Sequence, residues 1–317
     1  MSSSRKVEHF VTLFDSHYLP QGLSLYKSLE AHGQPFVLWI IAMDEACAVA
    51  LEKISPKFVQ IIRLPEIESD RLIEAKSDRS MGEYCWTLTP FLPSAVFERQ
   101  PGLERVTYVD ADLYFFDQPS KLLDEFTESG KHVMITDHAF APEYAASLQY
   151  GRFCVQFMTF RSTEGGLKVL HWWQDRCVEW CYSRLENGKF GDQKYLDIWP
   201  EMFGEEVHVL SQINRTVAPW NVHHIGLLTG RIEPVFYHFH SLRIVSPTRV
   251  VLHYHDYKIG RSNRWIYDSY LGVLRNAAST MRSYAIPVQG LPMPKESCRA
   301  LRYLKRWFSG RLAWAQL

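Results

Sequence analysis

Short apolar runs alternate with amphipathic stretches along most of the chain. Residues 7–14 form a strand-like run, and residues 19–29 carry apolar side chains at helical spacing. Residues 36–42 are nearly all apolar, residues 44–54 begin at a polar cap, and residues 59–64 read as a further strand. This alternation predicts an α/β domain on a mainly parallel sheet, and helices covering both faces explain strands that are apolar on both sides. Residues 67–82 are charge-rich and read as irregular or partly helical, while Pro90 and Pro93 break any helix within residues 86–98. Residues 105–109 resume the sheet, and alternation continues through 121–128, 132–136, 143–149 and 154–160. Gly165-Gly166 precede an aromatic helix expected to reach about residue 185. A short helix to Ile198, a strand near 207–210 and histidine-rich loops through His240 follow.

The apolar run 105–109 stops at Asp110-Ala111-Asp112. In an extended chain residues i and i+2 face one side, so the two carboxylates can converge at a strand end. Two like charges held together favour a hard divalent cation, Mg²⁺ or Mn²⁺, over zinc or copper. The pattern also occurs on solvated loops, where it caps a helix or faces water. Its position at the carboxyl end of a buried strand, where open α/β sheets bind ligands, favours the metal reading.

The 317 residues include 35 basic and 35 acidic side chains, and that balance gives no bulk attraction to nucleic acid. The N-terminal residues lack the apolar stretch of a signal peptide, and no uncharged apolar run is long enough to span a membrane, so a cytoplasmic protein is expected. The scattered cysteines at 47, 85, 154, 177, 181 and 298 read as small core residues. Near the C-terminus, Arg299, Arg302, Lys305 and Arg306 share one helical face, opposite Tyr303, Leu304, Trp307 and Phe308. Such a helix suits either peripheral contact with an anionic membrane or packing on the body with its basic face in water.

Three segments besides the aspartates complete an ordered set: Thr12-Leu-Phe-Asp-Ser-His-Tyr18 after the first strand, Gly191-Asp192-Gln193 after the aromatic helix, and Pro234-Val-Phe-Tyr-His-Phe-His240. Over residues 7–245 this order resembles the GT-A fold of nucleotide-sugar glycosyltransferases, most of all the retaining family 8 enzymes of the glycogenin and lipopolysaccharide galactosyltransferase groups. The resemblance implies a Rossmann-like, mainly parallel central sheet flanked by helices in a catalytic domain at 1–245, with a mainly helical extension at 246–317. It implies metal-dependent transfer, with retention, of a sugar from a nucleotide diphosphate donor, UDP-linked, to a glycan or glycolipid hydroxyl.

Residue by residue, the resemblance places Thr12, Asp15, His17 and Tyr18 at the nucleoside, with Tyr18 stacking on the base. Asp110, Ala111 and Asp112 meet the diphosphate, and Asp110, Asp112 and His238 hold Mn²⁺ or Mg²⁺, with His240 as the reserve beside the substrate. Arg243 stands near the family's diphosphate-binding lysine, whose K-P-W context is missing here. Arg79, in a region that also holds Asp70 and Lys76, is the expected basic donor contact. Asp192 binds sugar hydroxyls or places the acceptor, and Gln193 lies by the anomeric carbon as an electrostatic stabiliser, since an amide is a poor nucleophile. Asp137 and His138 supply polar contacts, and Trp220-Asn221 lie on the acceptor side. Where the family carries F-N-x-G, this chain has Phe153-Cys154-Val155-Gln156, which alters the expected sugar pocket. A nonenzymatic glycan- or nucleotide-sugar-binding protein on the same scaffold is the alternative. A sugar nucleotidyltransferase fits less well, because Thr12 to Tyr18 contains no glycine.

Overall fold

The computed structural model describes residues 6–33, 35–253, 257–292 and 313–317. Strand β1 (Glu8–Phe14) lies in the middle of the sheet, and α1 (Leu19–His32) returns over it with ten of its fourteen residues buried. The helix seats tightly, for a Cβ on Gly22 would stand 2.3 Å from the Phe14 ring. The unit repeats through β2 (Phe36–Ala42), α2 (Glu45–Ile54) and β3 (Val59–Arg63). Asp44 starts α2 by accepting the Cys47 N–H at 2.7 Å, the task of a polar residue before an apolar-periodic run.

The charge-rich stretch contains α3 (Asp70–Lys76), and a Ser80/Glu83 capping box opens α4 (Met81–Leu88). The prolines divide the next region as expected: α5 (Phe91–Arg99) begins after Pro90 and takes Pro93 in its first turn, where a missing N–H costs nothing. Fully buried β4 (Arg105–Val109) is followed by β5 (Leu113–Phe115), α6 (Ser120–Ser129) and β6 (Val133–Asp137). A 3₁₀ stretch, Pro142–Tyr150, leads to β7 (Phe153–Arg161) and α7 (Glu164–Glu179). Helix α7 stops short of residue 185 because Arg79 donates to its last carbonyls, Cys177 at 2.9 Å and Val178 at 2.5 Å. That stop signal comes from a distant segment and has no local trace in the sequence.

A 3₁₀ turn at Gln193–Ile198 and α8 (Trp199–Met202) precede β8 (Val207–Val209). The histidine-rich region is more ordered than its composition suggests, with β9 (Thr216–Val217), α9 (Val222–Thr229) and β10 (Phe236–His238). Beyond it lie β11 (Arg243–Ser246), β12 (Arg249–His253), α10 (Arg264–Ser283) and β13 (Ala313–Gln316). The C-terminal extension is thus a long helix joined by an antiparallel sheet, β11-β12-β13. The expected basic and aromatic helix at 299–308 lies outside the described residues.

The central sheet runs β3-β2-β1-β4-β7-β6-β8, with β7 antiparallel to both its neighbours and every other pairing parallel. A second sheet runs β5-β10-β9. One apolar layer holds α4, α5 and α7, with Trp173 and Trp199 fully buried. The opposite layer joins α1, α2 and α6 to α10 in a single cluster from Phe10 to Met281, so the core does not divide at residue 245. Each buried aromatic there contributes about 1.5–3 kcal/mol. No helix among the described residues is long and apolar enough to cross a membrane.

Candidate metal centre

β4 delivers Asp110 to the carboxyl edge of the sheet, and the chain turns there, with the Asp110 carbonyl accepting the Leu113 N–H at 3.1 Å. The two aspartates therefore converge through a tight turn, which corrects the expectation of an extended segment. β10 pairs antiparallel with β5, matching His238 to Leu113 and setting the imidazole against the turn. Its Nε2 lies 3.2 Å from Asp112 Oδ1 and 3.6 Å from Asp110 Oδ2. One ligand atom from each of the three residues lies within 4.8 Å of the others, the only such cluster of three or more among the described residues.

Each ligand is held from behind. Tyr108 donates its hydroxyl to Asp110 Oδ1 at 2.7 Å. The Phe239 N–H donates to the Asp112 carbonyl at 2.9 Å. His238 Nδ1 donates to Oε1 of Gln156 at 2.8 Å, and Gln156 is 1% exposed. In the neutral imidazole that bond puts the lone pair on Nε2, facing the carboxylates, the tautomer a metal ligand requires. Gln156 thus supports His238 from behind.

The three side chains shift one another's ionisation. Burial pushes Asp110 up against the pull of His238, and the Asp112 carboxylate adds to the rise. Burial opposes ionisation of Asp112 too, but the charge and hydrogen bond of His238 hold it below the usual carboxylate range. His238 shows the reverse, with Asp112 and then Asp110 overcoming burial and holding the imidazole well above its ordinary value. A proton on Nε2 serves as counter-charge where a divalent ion could stand.

Asp192 lies in the field of Asp110. Gly191, at φ +51°, turns the chain against Trp86, and the Trp173 indole donates to the Asp192 carbonyl at 3.0 Å. The Asp192 side chain is buried, and burial, then the field of Asp110, raises it well above the carboxylate range. Gln193 donates Nε2 to the Tyr150 carbonyl at 2.9 Å, which leaves its oxygen end for a ligand. Cys154 lies among the same groups. Burial would raise its thiol, but His138 and then His238 lower it to about 7.

At the end of β1, Asp15 Oδ1 accepts the N–H groups of His17 and Tyr18, and His17 Nδ1 stands 3.4 Å from Asp15 Oδ2. Tyr18 forms the N-cap of α1, half-buried against the core. Ala111 is buried within the turn, and half-buried His240 packs edge-on against Trp220 and His238.

Other expected contacts are committed elsewhere. Thr12 is fully buried within β1. The Arg79 guanidinium is spent on Thr87 and the end of α7, with its side chain 2% exposed, so it is a structural clamp rather than a donor contact. Asp137 accepts from Arg152 and the Ala139 N–H. Trp220 and Asn221 both donate to the His138 carbonyl, at 2.7 and 3.1 Å, and both are buried. Trp220 edges on His138, His238 and His240, so it forms a wall of the histidine cluster and presents no open face to a sugar. Arg243 donates to the Pro292 carbonyl at 2.8 Å.

No protein-family model matches the chain. The Bacillus subtilis (strain 168) protein YfnF is 34% identical over 250 residues, covering 75% of this chain and 82% of YfnF; YfnD of the same strain is 29% identical over 248 residues, covering 75% and 79%. Among solved structures, the galactosyltransferase LgtC in complex with donor and acceptor sugar analogues superposes with a TM-score of 0.55 at 14% identity, covering 87% of this chain and 99% of LgtC. The bifunctional glycosyltransferase WbbM gives 0.53 at 14% identity, with 91% of this chain on 53% of WbbM. The chain belongs to the family of YfnF and carries the GT-A fold, the fold of LgtC.

Proposed function

We propose that the chain is a metal-dependent glycosyltransferase that moves a sugar from a nucleotide diphosphate donor, UDP-linked by resemblance, to a hydroxyl of a glycan or glycolipid. The observation that carries this reading is the meeting of Asp110, Asp112 and His238 at the sheet edge, with Asp192 in the field of Asp110. Two carboxylate oxygens and one imidazole nitrogen suit Mn²⁺ or Mg²⁺, and Gln156 orients the imidazole for it. Bound there, the ion would neutralise the donor diphosphate and the charge left on the departing nucleotide.

The protein's own groups divide the remaining work. Tyr18 offers a ring face to the base, and the Asp15 turn fixes the loop that carries it. Asp192, held toward its neutral form, both donates to and accepts from sugar hydroxyls. Gln193 directs its side-chain oxygen at the anomeric centre, opposite the leaving group, and stabilises positive charge there without forming a covalent bond. The acceptor hydroxyl then attacks on the face the nucleotide leaves, its proton passes to a donor phosphate oxygen, and configuration is retained.

A thermal-shift panel of nucleotide sugars, with and without Mn²⁺, tests this reading. The preferred donor at 100 times its Kd should add about 2.7 kcal/mol of stability, and only with metal. Asp110→Asn with Asp112→Asn should erase that response. Equal shifts with and without metal, or a wild-type response in the double variant, would overturn the assignment. Metal-dependent binding with no nucleotide release toward any glycan acceptor would favour the nonenzymatic binding protein.

A further inference from the structure

Helix α10 packs Tyr270 against the segments that carry the candidate metal ligands. The ring stacks on Phe239, centroids 3.7 Å apart and planes at 11°, and meets Tyr114 edge-on at 5.6 Å. Phe239 adjoins the ligand His238, and Tyr114 stands two residues beyond the ligand Asp112, so both neighbours belong to the segments that build the centre. Tyr270 is fully buried, and its hydroxyl has no hydrogen-bond partner among the described residues. A phenol hydroxyl buried without a partner is costly, and phenylalanine would pack the same ring at no such cost.

The surroundings indicate what the hydroxyl awaits. After burial, the charges that act on it are those of Asp112, a candidate metal ligand, of Tyr114, and of Tyr18, the residue expected under the base. A nucleoside diphosphate gripped at Tyr18 and at Asp112 would hold its phosphates between those two residues. Burial and the Asp112 charge both keep the phenol protonated, hence a donor. Ser241 Oγ, one residue past His240 in a left-handed turn at φ +68°, is likewise buried without a hydrogen-bond partner among the described residues.

We propose that the Tyr270 hydroxyl, supplied by the C-terminal helix, donates a hydrogen bond to a phosphate oxygen of the bound nucleoside diphosphate. This rests on the donor-site reading above. It gives the C-terminal extension a direct part in binding, and it supplies a phosphate contact in a chain that lacks the K-P-W lysine and turns Arg243 to the Pro292 carbonyl.

The test is Tyr270→Phe, which keeps the ring and its stacking. Calorimetry would compare the variant with wild type in Mn²⁺, using whichever of UDP, ADP, GDP, CDP and TDP wild type binds best, the matching nucleoside, and Mn²⁺ alone. A lost bond to a charged oxygen should weaken the diphosphate about 10- to 100-fold, with the nucleoside and Mn²⁺ affinities unchanged. The melting temperature of the free variant should match or exceed that of wild type, because no bond of the free protein is removed. Undiminished diphosphate binding would overturn the proposal. So would a matching loss of Mn²⁺ affinity or a lower melting temperature, each of which would assign the hydroxyl to Asp112 or to another group of the protein itself. Failure of wild type to bind any nucleoside diphosphate would sink the donor-site reading instead, a result distinct from equal binding by both proteins.

Discussion

Gln156→Leu is the sharpest probe of how the centre is held. The substitution keeps approximate volume at a position 1% exposed but removes the oxygen that accepts from His238 Nδ1 at 2.8 Å. Two effects follow from that one atom. Loss of the group that orients a ligating histidine costs about 10- to 100-fold in metal affinity, which corresponds to about 1.4–2.7 kcal/mol. An unpaired N–H left inside also destabilises the free protein by about 1–3 kcal/mol. Calorimetric titration of Mn²⁺ without nucleotide reads the first, and urea unfolding reads the second. Gln156→Glu offers the control, because a carboxylate accepts the same bond, and its Mn²⁺ affinity should stay within a few-fold of wild type. If Gln156→Leu binds Mn²⁺ as wild type does and shifts only the preference among donor sugars, the residue belongs to the sugar pocket and the tautomer argument fails.

Other consequences are open to measurement. Tyr108→Phe removes the hydroxyl that donates to Asp110 at 2.7 Å and should weaken Mn²⁺ binding several-fold by calorimetry while leaving the fold intact. Arg79→Met should lower unfolding stability by about 2–4 kcal/mol in urea, because it frees the carbonyls of Cys177 and Val178, yet leave nucleotide affinity near wild type. Glu125 accepts from Ser211, His208 and Gln212, and these bonds outweigh its burial and hold it below the ordinary carboxylate value. A lowered folded-state pKa gives stability that is present above the unfolded value near 4.3 and lost as pH falls through the folded value. Glu125→Gln should therefore cost most at neutral pH, and a stability difference that stays constant down to pH 3 would contradict this. Arg302→Glu with Lys305→Glu should reduce sedimentation with anionic vesicles if the tail meets membrane, and equal sedimentation would remove that reading.

The sheet was legible because its strands are short apolar runs set between polar caps and prolines. β2 and β4 occupy the residues their patterns mark, and Asp44 and Pro93 stand where helix chemistry puts them. The end of α7 was illegible, since its stop is an arginine about a hundred positions away. The small sheet that carries His238 was hidden for a related reason: β9 and β10 are only two and three residues long, and they exist through pairing with β5. In the site, the ligand trio could be named from spacing and resemblance, but the geometry that joins it could not. Asp110 and Asp112 meet through a turn, Gln156 supports a histidine 82 positions away, and Trp220 is spent on a carbonyl. Each of these is a tertiary contact, and period, cap and composition carry no record of it.

The packing of α1 against α10 has a consequence for biogenesis. On the ribosome, the apolar surface of residues 19–32 emerges more than two hundred residues ahead of the helix that covers it. The nascent chain must carry that surface uncovered through most of its synthesis, a period in which association with chaperones or with other unfinished chains competes with closure. Ribosome-stalled chains ending before residue 264 should therefore remain protease-sensitive across α1, and protection there should arrive only when the last helix clears the exit tunnel.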